Sequence, residues 1–193
     1  MLFRSFPKPL RRTSLWPALG NHDTANNECP GLNHLPFLEV FTLPKNGEAG
    51  GAASGSEFYY SFDHGRVHFV CLDSMVSSRS RGQAMLTWLE QDLAETAADW
   101  VIAFCHHPPY SRGAHDTDKS SEVESREMRE NVLPILERYG VDLVLAGHSH
   151  SYERSYLLKG HYGLSTNLLP SMKLDAGLGD PRRGGAYHKQ TQG

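Results

Sequence analysis

Three apolar stretches, widely separated along the chain, each run directly into a loop that carries histidine. Residues 15–19 (LWPAL) lead to Gly20-Asn21-His22-Asp23, residues 100–105 (WVIAFC) to His106-His107-Pro108-Pro109, and residues 141–146 (VDLVLA) to Gly147-His148-Ser149-His150. Each stretch reads as a strand. In layered α/β sheets the carboxyl ends of strands open on the crevice where ligands bind, so side chains distant in sequence meet there. Histidines gathered in that way point to a metal ion.

The segments between these strands set the fold class. Residues 57–63 alternate with aromatics, a turn follows at His64-Gly65, and residues 66–73 are rich in Val, Phe and Leu, which predicts a hairpin. Residues 82–98 place Met85, Leu86, Leu89 and Leu93 at helical spacing with acids opposite, predicting an amphipathic helix. Residues 122–139 are helical again. Pro134 must kink that helix or start a new segment, and Gly140 is its stop. Residues 141–146 then predict a buried strand. Helix alternating with strand implies an α/β layered fold with at least partly parallel pairing. Residues 24–56 loosen into Asn, Pro, Gly and Ser and read as a long surface excursion beside a site. One domain over residues 1–193 accounts for the whole chain.

Composition excludes more than it selects. A net charge of -3 offers no basic field for nucleic acid or an anionic membrane, and no apolar run approaches the roughly 18 residues of a membrane span. The first nineteen residues are basic but broken by Pro7 and Pro9, and no signal peptide is read there. Cys29, Cys71 and Cys105 are odd in number and widely spaced, which favours buried thiols over a disulfide framework.

Within the loops, single residues stay open to two readings. His148 and His150, one residue apart, would face one side of an extended loop and bind one ion or two adjacent ions. A lone H-x-H is more often a surface accident, but Gly147 permits the tight backbone path that exposes both rings. Of the adjacent pair His106 and His107, opposite facing leaves one as ligand and one as structural. Asn21 offers a hard amide oxygen suited to a divalent ion. His22 can donate a proton to a leaving oxygen, and Asp23 either orients it or simply forms the turn.

Taken together, Gly20-Asn21-His22-Asp23, His106-His107-Pro108-Pro109-Tyr110-Ser111 and Gly147-His148-Ser149-His150-Ser151-Tyr152-Glu153-Arg154 resemble the calcineurin-like metallophosphoesterases, and among them most closely the purple acid phosphatases. The likeness covers nearly the whole chain and implies a layered α/β/β/α sandwich. It implies hydrolysis of phosphoric monoesters by a hydroxide held between two metal ions, iron with zinc, manganese or a second iron. Asn21, His106 and His148 would bind the second metal, His150 the first, and His22 would protonate the leaving group. His115 loosely matches a further histidine that holds phosphate, and otherwise reads as solvated surface. No nucleic acid or membrane partner is implied. Members of the family are mostly exported.

The pattern departs from that family in one respect. The motifs D-x-H and G-D-x-x-Y, which precede G-N-H-D there and supply the first-metal and bridging aspartates and a tyrosine, do not occur before Gly20; Gly179-Asp180 lies after the last histidine motif. The expectation is therefore a domain incomplete at its N-terminus and at its C-terminus, with an exposed sheet edge, poor stability and weak occupancy by one ion. The alternative is a truncated, non-catalytic metal-binding or interaction domain.

Overall fold

Alternating large apolar and polar residues fold back at Gly65-Arg66, and this hairpin seeds the central sheet. In the computed structural model, which describes residues 12–24, 35–175, 177, 180 and 182, β1 (Tyr60–His64) and β2 (Val67–Leu72) pair antiparallel from Tyr60↔Cys71 to His64↔Val67. β3 (Trp100–Cys105) runs parallel to β2, and β4 (Leu143–Ala146) runs parallel to β3, in the order β1-β2-β3-β4. Parallel neighbours need crossovers. Helix α1 (Ala84–Glu95) makes the first, and a composite helix makes the second. Because β2, β3 and β4 are parallel, Asp73-Ser74, His106-His107 and Gly147-His148 all leave the same end of the sheet.

The composite helix shows how the chain accommodates Pro134. α2 (Val123–Glu127) widens into a π-helical turn at Met128–Val132, in which Leu133 N–H reaches the Met128 carbonyl, and α3 (Leu133–Arg138) restarts with Pro134 in its first turn. A proline there gives up no hydrogen bond. Of the two alternatives, a kink or a new segment, the new segment is what forms, and Gly140 follows its end.

The sheet buries both faces differently. Towards the helices, Val70, Leu72, Val101, Ala103 and Cys105 pack on Met85, Leu86, Leu89, Leu93, Met128 and Leu136. On the other face, Tyr60, Phe62 and Cys71 pack under Leu19, Leu35, Phe37 and Leu43. Trp16 stacks on Phe62 at 4.1 Å, and Phe62 on Phe69 at 4.8 Å. A two-stranded ribbon, β5 (Leu157–Leu158) with β6 (Lys173–Asp175), stands apart from the main sheet. The layered α/β class is thus the observed one. Among the described residues no helix is long and apolar enough to cross a membrane. Cys71 and Cys105 are buried free thiols, and Cys29 lies outside the described residues.

Three local expectations are corrected. Residues 15–19 form no strand. Pro17 has no N–H to give a ladder, and its carbonyl accepts instead from the Tyr60 hydroxyl (2.8 Å) and the Cys71 thiol (3.6 Å), so the segment lies across the sheet as a lid of side chains. The described part of residues 24–56 is no surface excursion either. It carries a short helix at Pro36–Val40 and buries Leu35, Phe37, Leu43 and Ala52. Gly51 approaches so closely that a Cβ would stand 2.0 Å from Ser61 Oγ, and its φ of +79° suits glycine. Finally, β4 is not buried: Leu143 and Leu145 are 46% and 51% exposed on an edge strand, beside Ile102 and Phe104 in register.

Candidate metal centre

At the common end of β2, β3 and β4 each loop is shaped by its own short-range chemistry. After β2, the buried Asp73 carboxylate accepts the backbone N–H groups of Met75 (2.7 Å), Val76 and Ser77 (2.7 Å) and so curls the chain. That curl presents Ser74 Oγ to the next strand, where it accepts from His107 N at 3.0 Å and pairs with His107 Nδ1 at 2.9 Å. His107 is thereby fixed in the interior, and His106 points the other way, into the cleft. The structural partner of the pair is His107, held by a serine that no spacing rule singles out.

Asn21 arrives on a single helical turn, Asn21–Thr24. Asp23 Oδ2 accepts from Gly20 N–H at 2.9 Å, which closes that turn; of the two readings of Asp23, turn formation is the one with a contact behind it. A Cβ on Gly20 would lie 3.0 Å from His106 Nδ1 and 3.1 Å from its Cε1. A Gly20→Ala protein is therefore expected to push the His106 ring aside with thermal stability nearly unchanged. The His106 imidazole signals in a proton NMR spectrum, beside a melting curve, check both halves.

The loop after β4 is not extended. His148 and His150 adopt φ values of 63° and 43°, in the left-handed region, while Gly147 does not. Each such residue costs on the order of 1 kcal/mol. The strain is held by a polar clamp: Ser149 Oγ meets Ser111 Oγ at 2.6 Å, and Glu153 takes hydrogen bonds from Ser111 Oγ (2.6 Å) and Arg112 N (2.7 Å). Burial works against that carboxylate, but the bonds from Ser111, Arg112 and Ser151 hold it below the usual carboxylate range. With this path the two rings do not share a side. His148 turns into the cleft, whereas His150 is exposed and makes no hydrogen bond or ring contact with a described residue, reaching His148 through its charge.

Three donor atoms from three loops thus face one another. His106 Nε2 lies 2.8 Å from Asn21 Oδ1 and 3.0 Å from His148 Nδ1. Ligand atoms about 2.1 Å from one cation stand about 3.0–3.4 Å apart, so this spacing suits a single divalent ion with one amide oxygen and two imidazoles. Burial, then the neighbouring His148, pushes His106 down to about 4, and burial with His148 and His106 pushes His107 down to about 3. Burial and His115 lower His148 as well. These rings are neutral at physiological pH, with lone pairs available to a metal. His22 is exposed on the Asn21 turn.

His115 is partly exposed but has partners. Its ring stands 3.8 Å from that of His148, and Nδ1 lies 3.1 Å from Glu122 Oε1. Glu122, which the motifs do not mark, is the carboxylate of the cluster, with Oε2 3.9 Å from His148 Nε2. Its only trace in the sequence is its place just before a helix.

Comparison with known proteins agrees with this geometry. The family model described as calcineurin-like phosphoesterase matches residues 2–152. Purple acid phosphatase 23 of Arabidopsis thaliana is 35% identical over 156 residues, covering 77% of this chain and 31% of that protein. The probable purple acid phosphatase 20 of the same plant is 35% identical over 160 residues, covering 79% and 35%. The uncharacterized protein Rv2577 of Mycobacterium tuberculosis is 28% identical over 183 residues, covering 87% and 33%. The chain spans about a third of the length of these relatives. The purple acid phosphatase PPD1 from yellow lupin seeds superimposes with a TM-score of 0.59 at 23% identity, over 74% of this chain and 26% of that one, a likeness of fold.

Proposed function

The chain belongs to the calcineurin-like phosphoesterase family, and from that premise we propose that it hydrolyses phosphoric monoesters, as an acid phosphatase does, at the cleft built by Asn21, His22, His106, His148 and His150. The observation that supports this reading is that His106 Nε2 lies 2.8 Å from Asn21 Oδ1 and 3.0 Å from His148 Nδ1 in the cleft.

Asn21, His106 and His148 would hold a divalent ion, and His150, exposed beside them, would reach a neighbouring one by turning its ring inward. Iron with zinc, manganese or a second iron is the pair such a site takes when complete. When bound, such ions neutralise charge on the phosphoryl oxygens and acidify water, which supplies a nucleophile at neutral pH. The residues of this chain do the rest. The neutral rings of His106 and His148 keep their lone pairs directed into the cleft, and His107 with Ser74 keeps the His106 loop from drifting. His22, exposed on its turn beside Asn21, gives its proton to the ester oxygen that departs, a contribution of about 100-fold or more. His115 stands where it can hydrogen-bond a phosphate oxygen from the solvent side. A phosphate monoester is the partner this proposal names.

Turnover of p-nitrophenyl phosphate by the purified chain supplied with iron, zinc or manganese tests the proposal. Hydrolysis abolished by a chelator, and lowered about 100-fold in His22→Ala, is the expected result. A folded, metal-loaded protein that turns over no phosphomonoester would overturn it. That outcome would favour the second reading, a metal-binding domain without catalysis, for which the observation is that Asn21, His106 and His148 are all neutral donors.

A further inference from the structure

We propose that His115, Glu122 and His148 form a second ion site, selective for a zinc-like divalent transition metal, which competes with Asn21 and His106 for the His148 ring. This goes beyond the hydrolytic reading and does not depend on it, because it concerns where a single ion settles.

The three side chains come from three places: His115 from the loop after β3, Glu122 from the residue that precedes α2, and His148 from the loop after β4. One ligand atom from each lies within 4.8 Å of the others. The contacts are more specific than that limit. Both carboxylate oxygens of Glu122 face an imidazole nitrogen, Oε1 towards His115 Nδ1 at 3.1 Å and Oε2 towards His148 Nε2 at 3.9 Å. A simple His115–Glu122 ion pair would use one ring and needs no second; here the second ring is brought to 3.8 Å from the first. The first separation lies within the 3.0–3.4 Å expected around one cation with bonds of about 2.1 Å, and the second exceeds it by about 0.5 Å. Two imidazoles with one carboxylate, leaving other positions to water, is a donor set that zinc accepts readily. The His115 side chain is 40% exposed, so the site opens to solvent and an ion can enter.

Charge decides between the two positions. Asn21, His106 and His148 offer only dipoles, whereas Glu122 brings a full negative charge that the cation needs when it leaves water. Glu124 adds negative potential that is felt at His148. The two positions also exclude each other. A neutral imidazole has one lone pair and one N–H, and His148 shows Nδ1 to His106 but Nε2 to Glu122. An ion on Nε2 leaves Nδ1 protonated, and that proton points at His106 Nε2, where the other ion would sit. Loading the second site therefore leaves the first to Asn21 and His106, which hold an ion more weakly.

Titrating the purified, metal-stripped chain with zinc by calorimetry, and with cobalt by the visible absorption of its bound form, reads the site directly. The expected result is a single ion per chain in the wild type, affinity reduced about 100-fold by Glu122→Gln or His115→Ala, and little change in Asn21→Ala or His106→Ala. Melting curves of each metal-free variant establish that it is folded. A wild-type chain that binds no ion, or one whose affinity ignores Glu122→Gln and His115→Ala, would overturn the proposal. If in the latter case Asn21→Ala and His106→Ala abolish binding, the second site falls while the hydrolytic reading stands.

Discussion

Asp92→Asn is expected to destabilise the protein by about 3–5 kcal/mol, the cost of removing one partner from a buried ion pair. Asp92 lies on α1 and is wholly buried. One carboxylate oxygen accepts from Ala52 N and from Ser61 Oγ, both at 2.7 Å; the other faces His68 Nε2 at 2.9 Å. His68, on β2, is itself buried, and its Nδ1 faces Asp63 Oδ1 at 2.7 Å. Carboxylates only accept, so both ring nitrogens must donate and His68 carries a full positive charge. An asparagine could still accept from Ala52 and Ser61, but its amide N–H groups would confront the His68 N–H. The cluster ties loop, hairpin and helix together at the end of the sheet opposite the cleft, so fold stability should suffer without any change in the donor atoms.

The same cluster gives stability a pH dependence whose sign follows from its charges. Burial pushes the His68 pKa down, but the hydrogen bonds and charges of Asp92 and Asp63 outweigh it, and the net shift is upward. A histidine raised in the folded state contributes stability that is complete below its unfolded value, about 6.5, and is lost as pH rises through the folded value. Urea midpoints should therefore fall on the alkaline side of about pH 6.5 in the wild type. In Asp92→Asn that slope should flatten. Midpoints unchanged by the substitution, or a slope of opposite sign, would show that His68 is neutral.

His106→Ala should lower kcat/KM for a phosphate monoester by about a thousandfold, the loss of several kcal/mol of charge stabilisation by a metal ion. Among the rings near His148, His106 is the one that also faces Asn21 Oδ1. His107 is committed to Ser74, His150 faces solvent, and Asn21 alone is a single neutral oxygen. His106 is half-buried at the cleft and contributes little to the core, so the melting temperature should hardly move. Ion binding at His115, Glu122 and His148 should also persist, which separates the loss of turnover from a general loss of metal. Equal activity in wild type and variant would remove His106 from the reaction.

Much of this molecule is written in local pattern. The alternation of residues 57–73 implies the hairpin, the spacing of Met85, Leu86, Leu89 and Leu93 implies α1, and Pro134 implies the restart that the π-helical turn provides. Strand and helix periods are set by backbone geometry, so they survive without knowledge of the neighbours. The histidine-bearing loops are legible for the same reason, since polar turns must interrupt apolar runs. Other features are decided by packing. Residues 15–19 read as a strand because they are apolar, yet they lie across Phe62 because Pro17 cannot join a ladder.

The cleft divides in the same way between chain and fold. The sequence by itself determined which side chains would be offered, Asn21, His22, His106, His148 and His150, and that the last three would follow strands. Only the tertiary structure decided that His148 turns inward and His150 outward, through left-handed backbone held by Ser111, Ser149 and Glu153. It alone brought Ser74 to His107 and set Glu122 beside His115 and His148. These contacts join residues up to 42 positions apart. Such meetings are fixed by sheet register and side-chain packing, and no periodicity along the chain encodes either.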